Sequence, residues 1–346
     1  MIRTKSVQIL ALAGFIPAGK FITLYRSLLP LLALCAASAA WSQALSGVRG
    51  SRVPPSPVGG VQQPKPAAAT PASAEYRFVA FEIPGVNPGG PYSQGVMGID
   101  NSRMVTGYYY DGSSYHGFAW RDGVLSFLDL PGAADTYVIG ANNRGTVIEN
   151  YDNGIGSGFI SGTYSLHNGT WTMLPDPSGN TDNSAYIVND LGVIVGDAYA
   201  PNNVAWIWNP GTKAYSIYAV PGSTQYSTYS GGINDKGQIS GQFQDSSGVW
   251  HGFLKEGETY TTIDPKNSQW TYAEAINNSG TIAGTWYNLS GWAEGFIRTS
   301  DGVFKVVDVP GGFETMIIGI NDRGDICGMW VDPKLGLWTP FVAYKR

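Results

Sequence analysis

The stretch Ile-Asn-Asp-Lys-Gly-Gln-Ile-Ser-Gly at residues 233–241 is one copy of a motif that runs through most of this chain. Five further copies keep the same frame, at residues 99–107, 141–149, 188–196, 276–284 and 320–328. The central residue of the motif falls at positions 103, 145, 192, 237, 280 and 324, so the spacings are 42, 47, 45, 43 and 44. A regular period of this length predicts a solenoid, a propeller or another repeat architecture.

The Asn-Asp-x-Gly core of the motif lies between two β-rich runs and predicts a hairpin turn. The Asn side chain caps such a turn, and the Gly takes its position of positive φ. Two copies depart from the pattern, because Arg103 stands in the place of the central Gly and Glu149 in the place of the last Gly. At Arg103 we expect either mild backbone strain or a different turn.

Each repeat contains four short runs rich in Thr, Tyr, Ile, Val and Trp, with turn residues between them. In the fifth repeat they are residues 260–264, 272–277, 281–287 and 293–298. This composition predicts strands. Four strands in about 45 residues is the size of a propeller blade. The fold class is therefore predicted to be all-β, a six-bladed β-propeller of four-stranded repeats.

The longest links between runs pass through Pro-Gly, as at Pro221-Gly222 and Pro310-Gly311. The runs that follow these links are rich in small residues, which suits the crowded inner strands at a propeller axis. A blade boundary at the Pro-Gly link leaves the last blade with only three strands. The unassigned run at residues 77–83 then supplies its fourth strand by pairing with residues 341–344, which closes the ring and removes two exposed sheet edges.

The first 75 residues are predicted to lie outside the propeller, which spans residues 76–346. Residues 1–44 contain four basic residues and no acid, then an apolar run at 28–40 and small residues before position 44, as in a signal peptide. The apolar run is too short to span a bilayer stably, so no stable membrane insertion is expected. Residues 45–75 are rich in Pro and Ala and predict a disordered linker. We expect an extracellular or periplasmic protein.

Charge excludes two classes of partner. Without residues 1–44 the chain keeps 17 Lys and Arg against 26 Asp and Glu, a net charge of −9. Nucleic acid and anionic lipid both require basic patches, so neither is expected as a partner. Cys327 is the one cysteine that remains after residue 44, so no internal disulfide can form there, and it fits a small buried apolar position.

The motifs together resemble the HAF-type extracellular repeat of secreted bacterial proteins, which is predicted to form β-propellers. The resemblance covers residues 76–346 and includes His-Gly-Phe-Leu at 251–254 and His-Gly-Phe-Ala at 116–119. It implies a secreted propeller and no particular activity. The piece Asn-x-x-Gly-Gln-Ile-x-Gly is also similar to the repeat of regulator-of-chromosome-condensation propellers, whose repeat frame differs.

One set of loops is rich in aromatic residues. With the predicted blade boundaries, the Pro-Gly links share a face with the links between the two middle strands of each blade, and aromatic residues gather there. Exposed rings beside Asn, Asp and Ser are typical of sugar recognition, whereas rings packed between blades are structural. The candidate ligand-binding residues are Trp250, Trp270, Trp292, Trp338, Tyr115 and Tyr226.

Acidic residues recur just before the Pro-Gly links. A ring of carboxylates can bind Ca²⁺, whereas an Asp in this place can also accept hydrogen bonds from turn N–H groups. The weak candidates for a metal site are Glu82, Asp129, Asp264 and Asp308. Calcium is the only cofactor considered.

No catalytic residue is assigned. The three histidines are His116, His167 and His251, and the first and last occupy equivalent repeat positions, which favours a structural role. The sequence lacks Gly-x-Ser-x-Gly, His-Glu-x-x-His and Cys-x-x-Cys. Our first hypothesis is a secreted, non-enzymatic module that binds an extracellular glycan or protein. The alternatives are a glycoside hydrolase or lyase that acts on polysaccharide, and a purely structural surface protein.

Overall fold

The computed structural model of the chain describes residues 72–86, 93–152, 160–175, 183–198 and 204–346. These residues form 24 strands in six four-stranded antiparallel sheets, arranged as a six-bladed β-propeller. The predicted fold class is confirmed. The predicted signal peptide at residues 1–44 lies outside the described residues, as does most of the predicted linker.

The first three blades follow one another along the chain. Blade 1 contains β2 (Gln94–Ile99), β3 (Val105–Tyr110), β4 (Tyr115–Arg121) and β5 (Val124–Phe127). Blade 2 contains β6 (Asp135–Ala141), β7 (Thr146–Asp152), β8 (Ile160–Ser165) and β9 (Thr170–Met173). Blade 3 contains β10 (Asn183–Val188), β11 (Ile194–Ala198), β12 (Val204–Asn209) and β13 (Ala214–Tyr218).

The other three blades complete the ring. Blade 4 contains β14 (Ser223–Ile233), β15 (Ile239–Asp245), β16 (Trp250–Glu256) and β17 (Thr259–Ile263). Blade 5 contains β18 (Ser268–Ile276), β19 (Ile282–Asn288), β20 (Ala293–Arg298) and β21 (Phe304–Val306). Blade 6 contains β22 (Thr315–Ile320), β23 (Ile326–Asp332), β24 (Leu337–Lys345) and the N-terminal strand β1 (Tyr76–Ala80).

Blade 6 is built from both ends of the chain, as predicted. β1 pairs antiparallel with β24, with Arg77 opposite Tyr344 and Ala80 opposite Phe341. The strand begins one residue before the predicted run and ends three residues before its end, although the Phe81 N–H still donates to the Pro340 carbonyl at 3.2 Å. The pairing covers the edge of β24, which an open blade would leave exposed.

The Asn-Asp-x-Gly segments form the predicted turns. In the fourth repeat the Gly237 N–H donates to the Asn234 carbonyl at 3.1 Å, and Gly237 has φ of 75°. The Asn234 Oδ1 atom accepts from the N–H groups of Lys236 at 3.1 Å and Gln238 at 3.0 Å. The side chain therefore caps its own turn, because one oxygen satisfies two N–H groups that the hairpin leaves free.

The same Asn side chains also join neighbouring blades. The Nδ2 group of each donates to the main-chain carbonyl at the corresponding turn of the next blade, at 2.9 to 3.0 Å. The bonds run from Asn142 to Asn189, Asn189 to Asn234, Asn234 to Asn277, Asn277 to Asn321 and Asn321 to Asp100. Asp100 has no amide group to continue the series, so the seam from blade 1 to blade 2 lacks this bond.

The next residue of the motif forms a second and complete ring. At each turn its main-chain N–H donates to the side-chain oxygen of the equivalent residue in the next blade, at 2.6 to 2.9 Å. In ring order these residues are Asn101, Asn143, Asp190, Asp235, Asn278 and Asp322, and the last donates to the first. Hydrogen bonds to a carboxylate are about twice as strong as neutral ones, so the three aspartates strengthen the ring.

Two glycine positions are required by close packing. A Cβ atom on Gly319 of β22 would lie 3.2 Å from the Gly98 Cα atom of β2, because inner strands of adjacent blades touch at the axis. The last Gly of the motif lies beneath a ring of the next strand, and a Cβ on Gly241 would lie 2.7 Å from the Phe253 ring. Burying a Phe side chain in this way stabilises the fold by roughly 1.5–3 kcal/mol.

The ordered N-terminal region starts before the predicted boundary at residue 76. Residues Ser73–Glu75 form a single 3₁₀ turn. Ser73 is buried, its hydroxyl donates to the Asp308 carbonyl at 2.8 Å, and it accepts from the Asp308 N–H at 3.0 Å. Glu75 forms an ion pair with Lys305 at 2.9 Å. These contacts join residues 73–75 to blade 5, whereas the predicted propeller begins at residue 76.

We predict that three chains with different start points will differ in stability. A chain that begins at Tyr76 loses both Ser73 hydrogen bonds. Its free energy of unfolding should be about 1–2 kcal/mol lower than that of a chain that begins at Ala72. A chain that begins at Phe81 also loses β1 and should lose most of its cooperativity, because the edge of β24 is then exposed. Denaturant unfolding measures both effects, and equal midpoints for all three chains would contradict the closure.

Arg103 adopts the same turn as the glycines of the other repeats. Its φ is 68°, and its N–H donates to the Asp100 carbonyl at 3.0 Å. The guanidinium forms a 2.9 Å ion pair with the carboxylate of Asp325, which is 1% exposed, and lies 4.5 Å from the centre of the Tyr344 ring. Arg103 therefore tolerates a strained backbone while it ties blade 1 to blade 6.

We predict that Arg103→Gly destabilises the protein by about 1–2 kcal/mol. Relief of the positive φ is favourable, but the buried carboxylate of Asp325 loses its cationic partner, and that loss is larger. Lys213→Gly is a matched control, because Lys213 also has positive φ, at 51°, and an exposed side chain. Chemical denaturation should show the control neutral or slightly stabilised. Equal effects of the two substitutions would show that the ion pair contributes nothing.

Candidate functional site

The links between strands divide the propeller into two faces. We call the side with the Pro-Gly links and the links between the second and third strands of each blade the crossing face. The opposite side, with the Asn-Asp-x-Gly turns, is the turn face. The Asn and Asp side chains of the turn face form the two series of hydrogen bonds between blades. All six candidate aromatic residues lie in crossing-face links or at the ends of strands next to them.

Three of the four candidate tryptophans pack against the same group of buried residues. Trp250, Trp270 and Trp338 are half-buried and pack against a shared buried base of Tyr272, Tyr287, Ala293 and Met316. Trp250 stacks on Tyr272 with ring centres 6.1 Å apart, and Trp270 meets Tyr287 edge-on at 5.7 Å. We call Trp250, Trp270 and Trp338 the tryptophan cluster. It spans blades 4, 5 and 6.

The other candidate aromatics lie elsewhere. Trp292 is half-buried in the link between β19 and β20 and does not belong to the tryptophan cluster. Its main-chain N–H donates to Asn288 Oδ1 at 3.2 Å. Tyr115 stacks on buried Tyr137 at 5.1 Å in the seam between blades 1 and 2. Burial, with a contribution from Asp135, raises the pKa of Tyr115. The side chain of Tyr226 lies outside the described residues.

The four candidate metal ligands stand in four different blades. Asp129 Oδ1 accepts from the Gly117 N–H at 3.0 Å, and Asp308 Oδ1 accepts from the Gly295 N–H at 3.2 Å. These bonds support the local role considered from sequence. Glu82, at the equivalent position of blade 6, is exposed and lies beside Pro340, which has no N–H to offer. Within the described residues no three His, Cys, Asp or Glu side chains converge as a metal site. Calcium binding stays a prediction.

Two histidines are held between carboxylates in blades 1 and 4. His251 Nδ1 lies 2.7 Å from Asp264 Oδ2, and its Nε2 lies 3.4 Å from Asp245 Oδ2. His116 has the same arrangement, with Asp129 at 2.8 Å and Asp111 at 3.3 Å. Burial lowers the pKa of each imidazole, but the two carboxylates outweigh it, so the net pKa is raised. These repeated groups tie the two kinds of crossing-face link together.

The carboxylates of these groups are also fixed by their own loops. Hydrogen bonds from Ser247 and from the Val249 N–H hold the pKa of Asp245 down at about 2. The Ser114 and Ser113 N–H groups lower the pKa of Asp111 in the same way. Each aspartate therefore stays charged across the physiological range. The paired carboxylates in blades 1 and 4 therefore favour the protonated imidazoles of His116 and His251.

Glu149 is an isolated acid inside blade 2. It is 2% exposed, and its Oε2 atom has no hydrogen-bond partner among the described residues. Burial, with a contribution from Asp129, raises its pKa to about 8. In blades 1 and 3 to 6 this position is Gly beneath a large ring, but Glu149 faces Gly162 instead. In blade 2 the ring over this pair comes from Trp171 of β9, because a Cβ atom on Gly162 would lie 2.3 Å from its indole. Sequence analysis noted Glu149 only as a departure from the motif.

We predict that Glu149→Gln removes a pH dependence of stability. In the unfolded chain the carboxyl loses its proton near the ordinary glutamate pKa of 4.5, whereas the folded protein keeps it to about pH 8. The folded state therefore binds more protons in this window, and the free energy of unfolding should fall by up to about 1.4 kcal/mol per pH unit as pH rises. Glutamine stays neutral and should be increasingly more stable than wild type from pH 5 to about 8.

The control for this prediction is Glu258→Gln, because the Glu258 side chain is 99% exposed. Its unfolding free energy should follow the wild-type pH profile. Denaturant unfolding at several pH values gives the comparison. A constant difference between Glu149→Gln and wild type across the window would show that Glu149 is already ionised in the fold.

Comparisons with known proteins give no family. No protein-family model matches the sequence, and no curated protein matches it. Solved structures similar to the chain include TolB from Acinetobacter baumannii, with 9% identity, a TM-score of 0.46 and alignment over 74% of this chain and 65% of that one. The chain thus spans less than two thirds of TolB.

Two other solved structures are similar over longer parts of their own chains. The β-propeller domain of the trilobed protease from Pyrococcus furiosus shares 9% identity, with a TM-score of 0.42 and coverage of 69% of this chain and 79% of that one. A catalytically inactive virginiamycin B lyase from Staphylococcus aureus shares 11% identity, with a TM-score of 0.42 and coverage of 78% and 99%. At such identities the likeness concerns the fold alone.

In the described part of the chain no helix is long and apolar enough to cross a membrane.

Proposed function

We propose that this chain is an exported β-propeller of the HAF-type extracellular repeat class, which binds a glycan or a protein through its crossing face without catalysing a reaction. The observation that carries the proposal is the unequal use of the two faces. The turn face uses its amide and carboxylate groups in bonds between blades. The crossing face carries the half-buried rings of Trp250, Trp270 and Trp338, which pack on a buried base.

The crossing-face aromatics suit recognition. Large rings lose little conformational freedom when they bind, and they offer both an apolar face and a polar edge. Tyr115 and Trp250 occupy equivalent positions in blades 1 and 4, and each stacks on a buried tyrosine that fixes its orientation. Rings held in this way are pre-organised, which lowers the entropy lost on binding. The net charge of −9 without residues 1–44 favours ligands that are not polyanions.

The proposal is tested on a glycan array, with an assay for released reducing ends run in parallel. We expect the protein to bind at least one glycan and to release no reducing ends. At least one of the two variants Tyr115→Ala and Trp250→Ala should weaken binding by roughly 1–3 kcal/mol, as for a packed aromatic anchor. Leu191→Ala is the matched control on the turn face, where Leu191 is 57% exposed, and it should bind normally.

Two outcomes would contradict this function. Release of reducing ends would favour the alternative of a polysaccharide hydrolase or lyase. Loss of binding in Leu191→Ala, with both aromatic variants intact, would move the ligand to the turn face.

A further inference from the structure

The seam between blades 4 and 5 differs from the seams that lead into blades 2 and 6. Just before a threonine of the inner strand, blades 2 and 6 carry an acid that accepts from the third strand of the preceding blade. Asp135 accepts from the Tyr115 N–H at 2.7 Å, and Glu314 accepts from the Ala293 N–H at 3.2 Å. In blades 1 and 4 this place holds Ser93 and Ser227, and in blade 5 it holds Trp270, followed by Thr271. Blade 5 therefore has a bulky indole where two other blades have a carboxylate that bonds to the preceding blade.

The tryptophans of the protein differ in how far their rings are enclosed. The indole N–H groups of Trp171, Trp206, Trp286 and Trp330 are buried within the fold. Trp250, Trp270 and Trp338 are instead half-buried, and their rings rest on a base that is almost fully enclosed. Each ring of the tryptophan cluster therefore has one packed side and a part that solvent or a ligand can reach. A ring held on one side and open at its edge is suited to stack on a sugar and to donate to a hydroxyl.

The charges beside the cluster disfavour an anionic ligand. Glu294 accepts from Asn288 Nδ2 at 2.8 Å, and Glu314 is buried with its bond to the Ala293 N–H. Both acids flank Ala293, which is part of the cluster base. A second set of carboxylates brought against them would be opposed by repulsion and desolvation. The exposed neighbour Gln269 and half-buried Ser268 offer uncharged hydrogen-bonding groups.

We propose that the tryptophan cluster is a saccharide site that binds an uncharged polysaccharide, with Trp270 as the residue that creates it. This inference rests on the proposed function, since it assigns a ligand class and a place to the crossing-face binding. Trp270 and Trp250 stack on sugar rings across the seam, and Trp338 extends the surface onto blade 6. Tyr115 and Trp292 lie outside the site.

The experiment measures binding of the full chain to five soluble polymers by affinity electrophoresis and calorimetry. Laminarin, xyloglucan and galactomannan are uncharged, polygalacturonate is anionic and chitosan is cationic. We expect at least one uncharged polymer to bind. Trp270→Ala should weaken that binding roughly 5- to 150-fold, the range for a stacked aromatic anchor. Trp270→Phe keeps a flat ring and should fall between Trp270→Ala and wild type.

Trp292→Ala is the matched control, because Trp292 is a half-buried tryptophan of the same face outside the cluster. It should bind as wild type, and all variants should keep the melting temperature within a few degrees. Binding that survives in Trp270→Ala but is lost in Tyr115→Ala would overturn this site while leaving the crossing face as the binding face. Binding of polygalacturonate or chitosan alone would overturn the ligand class. No binding to any of the five polymers would overturn the inference, and the glycan array would still decide the wider proposal.

Discussion

One amide side chain in five of the six repeats takes part in two structures at once. Asn234 caps its own turn with its oxygen and donates from its nitrogen to the turn of the next blade. Because the amide is planar, the conformation of the turn fixes the direction of the bond between blades. The curvature of the whole ring therefore depends on a local hairpin. Blade 1 shows the two roles separately, since Asp100 caps its turn by accepting from the Met104 N–H at 2.8 Å but cannot donate.

The seam between blades 6 and 1 lies where the ring of blades closes, and several polar contacts cross it. The Asn321 side chain donates to the Asp100 carbonyl, and the Asp322 N–H donates to Asn101 Oδ1, which completes the second ring of bonds between turns. The Arg103 guanidinium forms an ion pair with the buried carboxylate of Asp325. On the same blade, Tyr344 of β24 is approached by Arg77 at 4.7 Å and by Arg103 at 4.5 Å. One tyrosine thus contacts cations from the N-terminal strand and from blade 1. The departure at residue 103, which costs backbone strain, is placed where an ion pair between the chain ends is most useful.

The sequence predicted the fold because its period and its turn chemistry are local properties. The motif spacing implied six blades, and the position of the Pro-Gly links implied that residues 77–83 complete the last one. The bonds between blades could not be predicted, because they depend on which carbonyl lies beside each Asn in space. The buried position of Ser73 could not be predicted for the same reason, because its partner Asp308 is 235 residues away along the chain.

The candidate site was predicted only as a set of residues on one face. Spacing along the chain does not show which rings lie close together in space. Of the candidates, Trp250, Trp270 and Trp338 pack against one shared group of buried residues. Tyr115 and Trp292 satisfied the same pattern and lie elsewhere. The decisive comparison needs aligned blades, because Trp270 becomes unusual only when Asp135 and Glu314 are known to fill its place in other seams.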